Sequence, residues 1–133
     1  MIKQGTPEWH KERLGLFTSS HLSDLMVKGK NSEFGDTAMS YIYKVAAERT
    51  LADEFLSGAG FEMYLERMDM TSKSIRWGND FEDMAREKLS ELLGLTVNEA
   101  EFIKVTDYFG GSSDGLFEND AQIIPIEIKC PTP

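Results

Sequence analysis

Apolar positions recur at helical spacing through the first two thirds of the chain and at strand spacing through the last third. Thr6-Pro7-Glu8 opens the first helix with an N-cap hydroxyl, a proline at the first helical position and a carboxylate in the first turn. The pattern predicts a helix over Pro7–Leu14 that stops at Gly15, with Trp9 facing inward. Phe17-Thr18-Ser19-Ser20 then leads into a second helix, capped by Thr18 or Ser19, reaching about Val27 and ended by Lys28-Gly29-Lys30. A polar loop, Asn31–Asp36, precedes a long helix from Thr37 to about Phe55 that Asp36 caps. Met39, Ile42, Tyr43, Ala46 and Ala47 form its expected packed face. Ser57-Gly58-Ala59-Gly60 breaks that helix, and Phe61–Met70 reads either as a short amphipathic helix or as a flap. Ser74–Leu93 is the last helix, closed by Gly94. Its apolar stripe is Phe81, Ala85, Leu89 and Leu92, with Glu82 at the edge.

Three strands are predicted next, over Thr96–Val105, Gly111–Phe117 and Ile123–Cys130, with a turn at Asn119-Asp120. Strand periodicity puts Ile124, Ile126 and Ile128 on one face and Glu127 and Lys129 on the other. Pro125 cannot donate a ladder bond, so it is expected at a strand start or bulge. Helices followed by a short meander give an α+β architecture, and 133 residues correspond to a single domain, 1–133.

Composition narrows the class. With 41% apolar and 28% charged residues the chain is of the folded, soluble type rather than the disordered one. No apolar run reaches membrane-spanning length and nothing resembles a signal peptide, so the expected location is the cytoplasm, without membrane association. The single Cys130 permits no intrachain disulfide, in keeping with a reducing compartment. A net charge of −9 argues against tight, metal-independent binding to nucleic acid, which calls for a basic footprint. Basic residues do gather near the start, at Lys3, His10, Lys11 and Arg13, with Lys28 and Lys30 further on.

The chemistry-bearing residues cluster in GGSSDGLFENDAQIIPIEIKCP, Gly110–Pro131. Asp114 sits in a tight turn, and Glu127 and Lys129 flank Ile128. Two carboxylates can hold a hard divalent cation such as Mg²⁺, and a lysine can position water or neutralise developing charge. The same residues also fit a plain turn aspartate and a solvated strand face. Arg13 near the Thr18–Ser20 helix start can form an anion site, or the serines can serve only as caps.

Four stretches in order carry a resemblance: QGTPEWHKERLGLFTSS (Gln4–Ser20), RWGNDFEDMAR (Arg76–Arg86), SSDGL (Ser112–Leu116) and IEIKCP (Ile126–Pro131). Together they resemble the phage lambda exonuclease, or YqaJ-like viral recombinase, family of the PD-(D/E)xK nuclease superfamily. MSYIY (Met39–Tyr43) is similar to that family's long helix. The resemblance implies a restriction-endonuclease-like core and a Mg²⁺-dependent exonuclease, Mn²⁺ serving as a substitute, that degrades the 5′-ended strand of duplex DNA in phage recombination. It assigns Asp114, Glu127 and Glu82 to the metal, Lys129 to catalysis, and Arg13, Ser20 and Ser112 to the terminal 5′-phosphate. Implied partners are double-stranded DNA ends, a single-strand annealing protein and further copies of the chain in a homo-oligomer.

Ser113 stands where that family usually has proline, a position that shapes the turn rather than binding metal. Family members continue beyond the E-x-K strand, so the chain reads as lacking the C-terminal part. The uncovered Ile-lined strand then predicts self-association. Other readings differ in what they require. An inactive nuclease fold serving as an interaction module needs no metal, an endonuclease with the same site needs no 5′-phosphate, and an acidic DNA mimic binds a DNA-binding protein.

Overall fold

The computed structural model describes residues 2, 4–50, 58–68 and 73–131. They divide into two units, Met1–Met68 with Phe102–Ser112, and Asp69–Glu101 with Ser113–Pro133. In the first unit the expected helix start forms. Thr6 Oγ1 accepts the Trp9 amide at 3.3 Å, and α1 runs Pro7–Arg13 with Leu14 leaving it in an extended conformation. Trp9 is half-buried, and its ring lies 4.0 Å beneath the Arg13 guanidinium.

The next segment differs from the predicted helix. Phe17–Thr18 is a short strand, β1; Ser19–His21 is a single 3₁₀ turn; and only Leu22–Leu25 forms an α-helix, α2. The reason is a distant partner. The Phe17 amide donates to Tyr108 O at 2.8 Å, and Phe17 and Thr18 pair in parallel with Phe109 and Gly110 of β3 (Phe109–Gly111). β2 (Ile103–Lys104) lines the other side of β3, antiparallel, so the sheet order is β1-β3-β2. Gly111 is required here because a Cβ at that position would lie 2.4 Å from Ser19 Oγ. Thr18 precedes the 3₁₀ turn but its side chain makes no cap bond.

The long helix α3 spans Asp36–Arg49, with Gly35 rather than Asp36 at the N-cap position. The rest of its predicted length, through Phe55, lies outside the described residues. Its packed face is Ala38, Tyr41 and Val45, whereas Tyr43 is 67% exposed and Ala46 and Ala47 face outward. Apolar residues occur nearly all round this helix, so the face is decided by what Tyr41 reaches, the buried amide of Thr18 at 2.8 Å. The segment that read as helix or flap is a helix, α4 (Ala59–Met68), with Phe61 buried; Asp69 and Met70 lie outside the described residues. Glu48 ties these parts together, accepting the Gly15 amide at 2.9 Å and the Tyr64 hydroxyl at 2.6 Å.

In the second unit α5 spans Lys73–Leu93 and ends at Gly94 with φ +64°, the expected glycine stop. Phe81, Ala85 and Leu89 are half-buried, but Leu92 is 74% exposed, and among the helix residues whose burial is described the most buried is Arg86, at 9%. The packed stripe is therefore rotated toward Glu82 and Arg86. Only Val97 and Ala100 of the predicted Thr96–Val105 strand are buried, and Asn98 makes a single antiparallel bridge to Leu116. β4 (Gly115–Asn119) and β5 (Gln122–Ile126) form a two-stranded antiparallel sheet joined at Asp120, whose φ is +49°. Pro125 lies inside β5 rather than at its start, opposite Leu116. Leu116 directs both its amide and its carbonyl to Asn98, so no ladder bond is asked of the proline.

Candidate functional site

In the second unit the site is built where β5 gives out. The strand ends at Ile126, so Glu127 and Lys129 stand on the extension beyond the ladder. Exposure still alternates, with Ile124, Ile126 and Ile128 half-buried and Pro125, Glu127 and Lys129 exposed, as strand periodicity predicts. Asp114 clamps this extension from both sides of Glu127. Its amide donates to Ile126 O at 3.0 Å and its Oδ2 accepts the Ile128 amide at 2.7 Å. Ser113, in the place of the usual proline, donates its hydroxyl to Gly115 O at 2.9 Å and braces the same turn.

Arg86 holds the turn from α5, donating Nη1 to Asp114 O at 2.8 Å and Nη2 to Asp83. Glu82 lies one helical turn before Arg86 on the same face. Burial pushes the Glu82 carboxyl above the usual range, and the charges of Asp114, Asp83 and Glu127 add to that rise while Arg86 opposes it. Four carboxylates thus share one electrostatic neighbourhood. Lys129 pairs with Glu127, and the hydrogen bond and charge of that carboxylate raise the ammonium's pKa. Among the described residues no three His, Cys, Asp or Glu side chains converge closely enough to chelate an ion unaided. The donor chemistry still fits Mg²⁺, which takes one or two carboxylates and completes its shell with water and phosphate oxygens.

In the first unit Arg13 and Ser20 are brought together, with Arg13 Nη2 donating to Ser20 Oγ at 2.9 Å. Burial lowers the pKa of Arg13, partly offset by Tyr41 and Glu48. The third expected phosphate residue, Ser112, accepts a hydrogen bond from Gln4 Nε2 at 3.2 Å. Ser20 and Ser112 each follow a paired residue of the parallel β1-β3 ladder, Thr18 and Gly110, by two positions. Beside Arg13 opens a cavity of about 200 Å³ whose walls include Thr18, His21, Tyr41 and Lys44. Sequence reasoning took Thr18 only as a helix cap and missed Arg86 and Tyr41 as parts of these sites. Arg86 had a signal, its spacing of four from Glu82; Tyr41 is linked only by tertiary contact.

The architecture is that of a restriction-endonuclease-like nuclease core. It matches the crystal structure of an alkaline exonuclease from Laribacter hongkongensis with a TM-score of 0.65 and 27% identity, over 95% of this chain and 54% of that one. The structure of that exonuclease in complex with dAMP matches with a TM-score of 0.61 and 23% identity, over 86% of this chain and 49% of that one. A family model, the YqaJ-like viral recombinase domain, matches residues 8–133, and the chain belongs to that family. The chain spans about half the length of the two solved structures. No curated protein matches the sequence. Among the described residues no helix is long and apolar enough to cross a membrane.

Proposed function

We propose that this chain carries the hydrolytic centre of a Mg²⁺-dependent DNA exonuclease that shortens the 5′-ended strand of duplex DNA from its phosphorylated end. The observation that carries this reading is the double clamp of Asp114 around Glu127, which sets an aspartate beside the E-x-K segment. Membership of the YqaJ-like family and the likeness to an alkaline exonuclease support it.

Asp114 and Glu127 would hold the divalent ion, with Glu82 as the third carboxylate. Bound there, the ion supplies charge neutralisation at the phosphate and lowers the pKa of water. Lys129 donates hydrogen bonds to the attacking water or to a phosphate oxygen, and its charge offsets the negative charge that builds up as the phosphodiester is attacked. Water adds to phosphorus, the bond from phosphorus to the 3′ oxygen breaks, and that oxygen leaves as a hydroxyl after taking up a proton. Arg13, Ser20 and Ser112 bind the terminal 5′-phosphate, the arginine through charge-assisted bonds.

The test is digestion of linear duplex DNA, with and without a 5′-phosphate, in Mg²⁺ and in EDTA. Preferential loss of the phosphorylated strand, in Mg²⁺ alone, is the expected result. Cutting of covalently closed circles would replace the exonuclease reading with an endonuclease. Neither cleavage nor Mg²⁺ binding by calorimetry would leave an interaction module instead.

A further inference from the structure

Thr18 is 6% exposed, and its side chain is turned not to the helix it precedes but toward Arg13, Ser20 and Tyr41. Its amide donates to Tyr41 Oη at 2.8 Å, fixing the residue against α3. Its Oγ1 lies 3.4 Å from Arg13 Nη2, 3.1 Å from Ser20 Oγ and 3.5 Å from Tyr41 Oη.

Proton accounting gives these contacts a direction. A guanidinium only donates, so Arg13 consumes one acceptor position on Ser20 Oγ and one on Thr18 Oγ1. The remaining hydroxyl protons can run in two ways. If Ser20 donates to Thr18, Thr18 must donate to Tyr41, and the buried phenol proton is left without a described acceptor. If Tyr41 donates to Thr18 and Thr18 to Ser20, the proton left over belongs to Ser20, which is exposed to solvent. The second direction leaves the unpaired proton where it costs least. Both acceptor positions of Ser20 are then filled, and its hydroxyl can only donate outward.

We infer that Thr18, held by Tyr41, is a positioning residue that makes Ser20 an outward donor and so tunes the Arg13–Ser20 pair to a terminal group that only accepts, a phosphate monoester rather than a hydroxyl. This rests on the end-recognition reading given above. A phosphate presents acceptor oxygens in every direction, whereas a 5′-hydroxyl carries a proton and no charge.

The test is equilibrium binding of blunt duplexes, labelled at a 3′ end and carrying either a 5′-phosphate or a 5′-hydroxyl, followed by fluorescence anisotropy in Ca²⁺. The wild-type protein is expected to prefer the phosphate. Thr18→Val, which keeps the shape and removes the hydroxyl, should lower that preference by about tenfold, the worth of one well-placed hydrogen bond. Thr18→Ser should restore it, and Mg²⁺ affinity by calorimetry should be unchanged in both. A wild-type preference retained in Thr18→Val overturns the inference and leaves end recognition standing. Equal loss in the Val and Ser variants also overturns it, since packing would then be the cause. A wild-type protein indifferent to the end overturns both readings. Should Thr18→Val not fold, Tyr41→Phe carries the test, because an unchanged preference there sinks the relay.

Discussion

Asp114 accepts the main-chain amide of Ile128 through Oδ2 at 2.7 Å, so one carboxylate oxygen is committed to the backbone of the E-x-K segment. In the proposed site the other oxygen would meet the cation. The residue therefore has two separable duties, fixing the extension and carrying charge. Asp114→Ala removes both. It should abolish Mg²⁺ binding and lower stability by about 1.5–3 kcal/mol, the usual worth of a hydrogen bond to a charged group. Asp114→Asn keeps an acceptor for the amide and should lose the cation at a smaller cost in stability. Calorimetry with Mg²⁺ and urea unfolding measure the two effects, and undiminished Mg²⁺ affinity in either variant contradicts the assignment.

Lys129 is exposed and pairs with Glu127, so its removal disturbs little of the fold. Lys129→Ala should leave Mg²⁺ binding intact and slow cleavage by about 100-fold or more, the range for losing one donor to a reacting oxygen. Single-turnover digestion at saturating Mg²⁺ reads this directly. A variant that cleaves at the wild-type rate removes Lys129 from the chemistry.

Arg86 positions the Asp114 turn through a carbonyl rather than through the carboxylate. Arg86→Met fills much of the same space without the bond. Because its partner Asp83 is largely exposed, no buried charge is stranded, and the expected cost is about 1.5–3 kcal/mol. Mg²⁺ affinity should fall as well, since the turn carrying Asp114 loses its support. Wild-type Mg²⁺ affinity in a destabilised variant would confine Arg86 to a packing role.

Glu82 gives a pH dependence with a definite sign. Its folded carboxyl holds a proton to higher pH than the ordinary value of 4.5, chiefly through burial and then through the charge of Asp114. Between those two values the folded state binds more protons than the unfolded one, so this group's contribution to stability falls as pH rises. In EDTA the metal-free protein should lose stability upward from about pH 4.5, and Glu82→Gln should flatten that decline. Urea midpoints across pH 4 to 7 test it. A Gln variant with the same slope would assign the decline to other groups.

Sequence alone determined what short-range physics controls. Thr6-Pro7-Glu8 started α1 and Gly94 ended α5, because capping depends on neighbours only a few residues away. The Ile124-Ile126-Ile128 alternation and the Asn119-Asp120 turn were equally legible, since strand period and turn chemistry are local. The motifs also brought Asp114, Glu127, Lys129, Glu82, Arg13, Ser20 and Ser112 forward as candidates before any contact was known. Tertiary structure decided the rest. Phe17-Thr18 became a strand because Phe109-Gly110 offers hydrogen bonds in parallel, and nothing near Phe17 encodes that partner. Tyr41 rather than Tyr43 turned inward because the Thr18 amide needs an acceptor. Arg86 was buried in a stripe that apolar periodicity assigns to Leu92, because a carbonyl from Asp114 receives it there. A buried polar group stays buried only where a partner meets it, and that partner comes from distant chain.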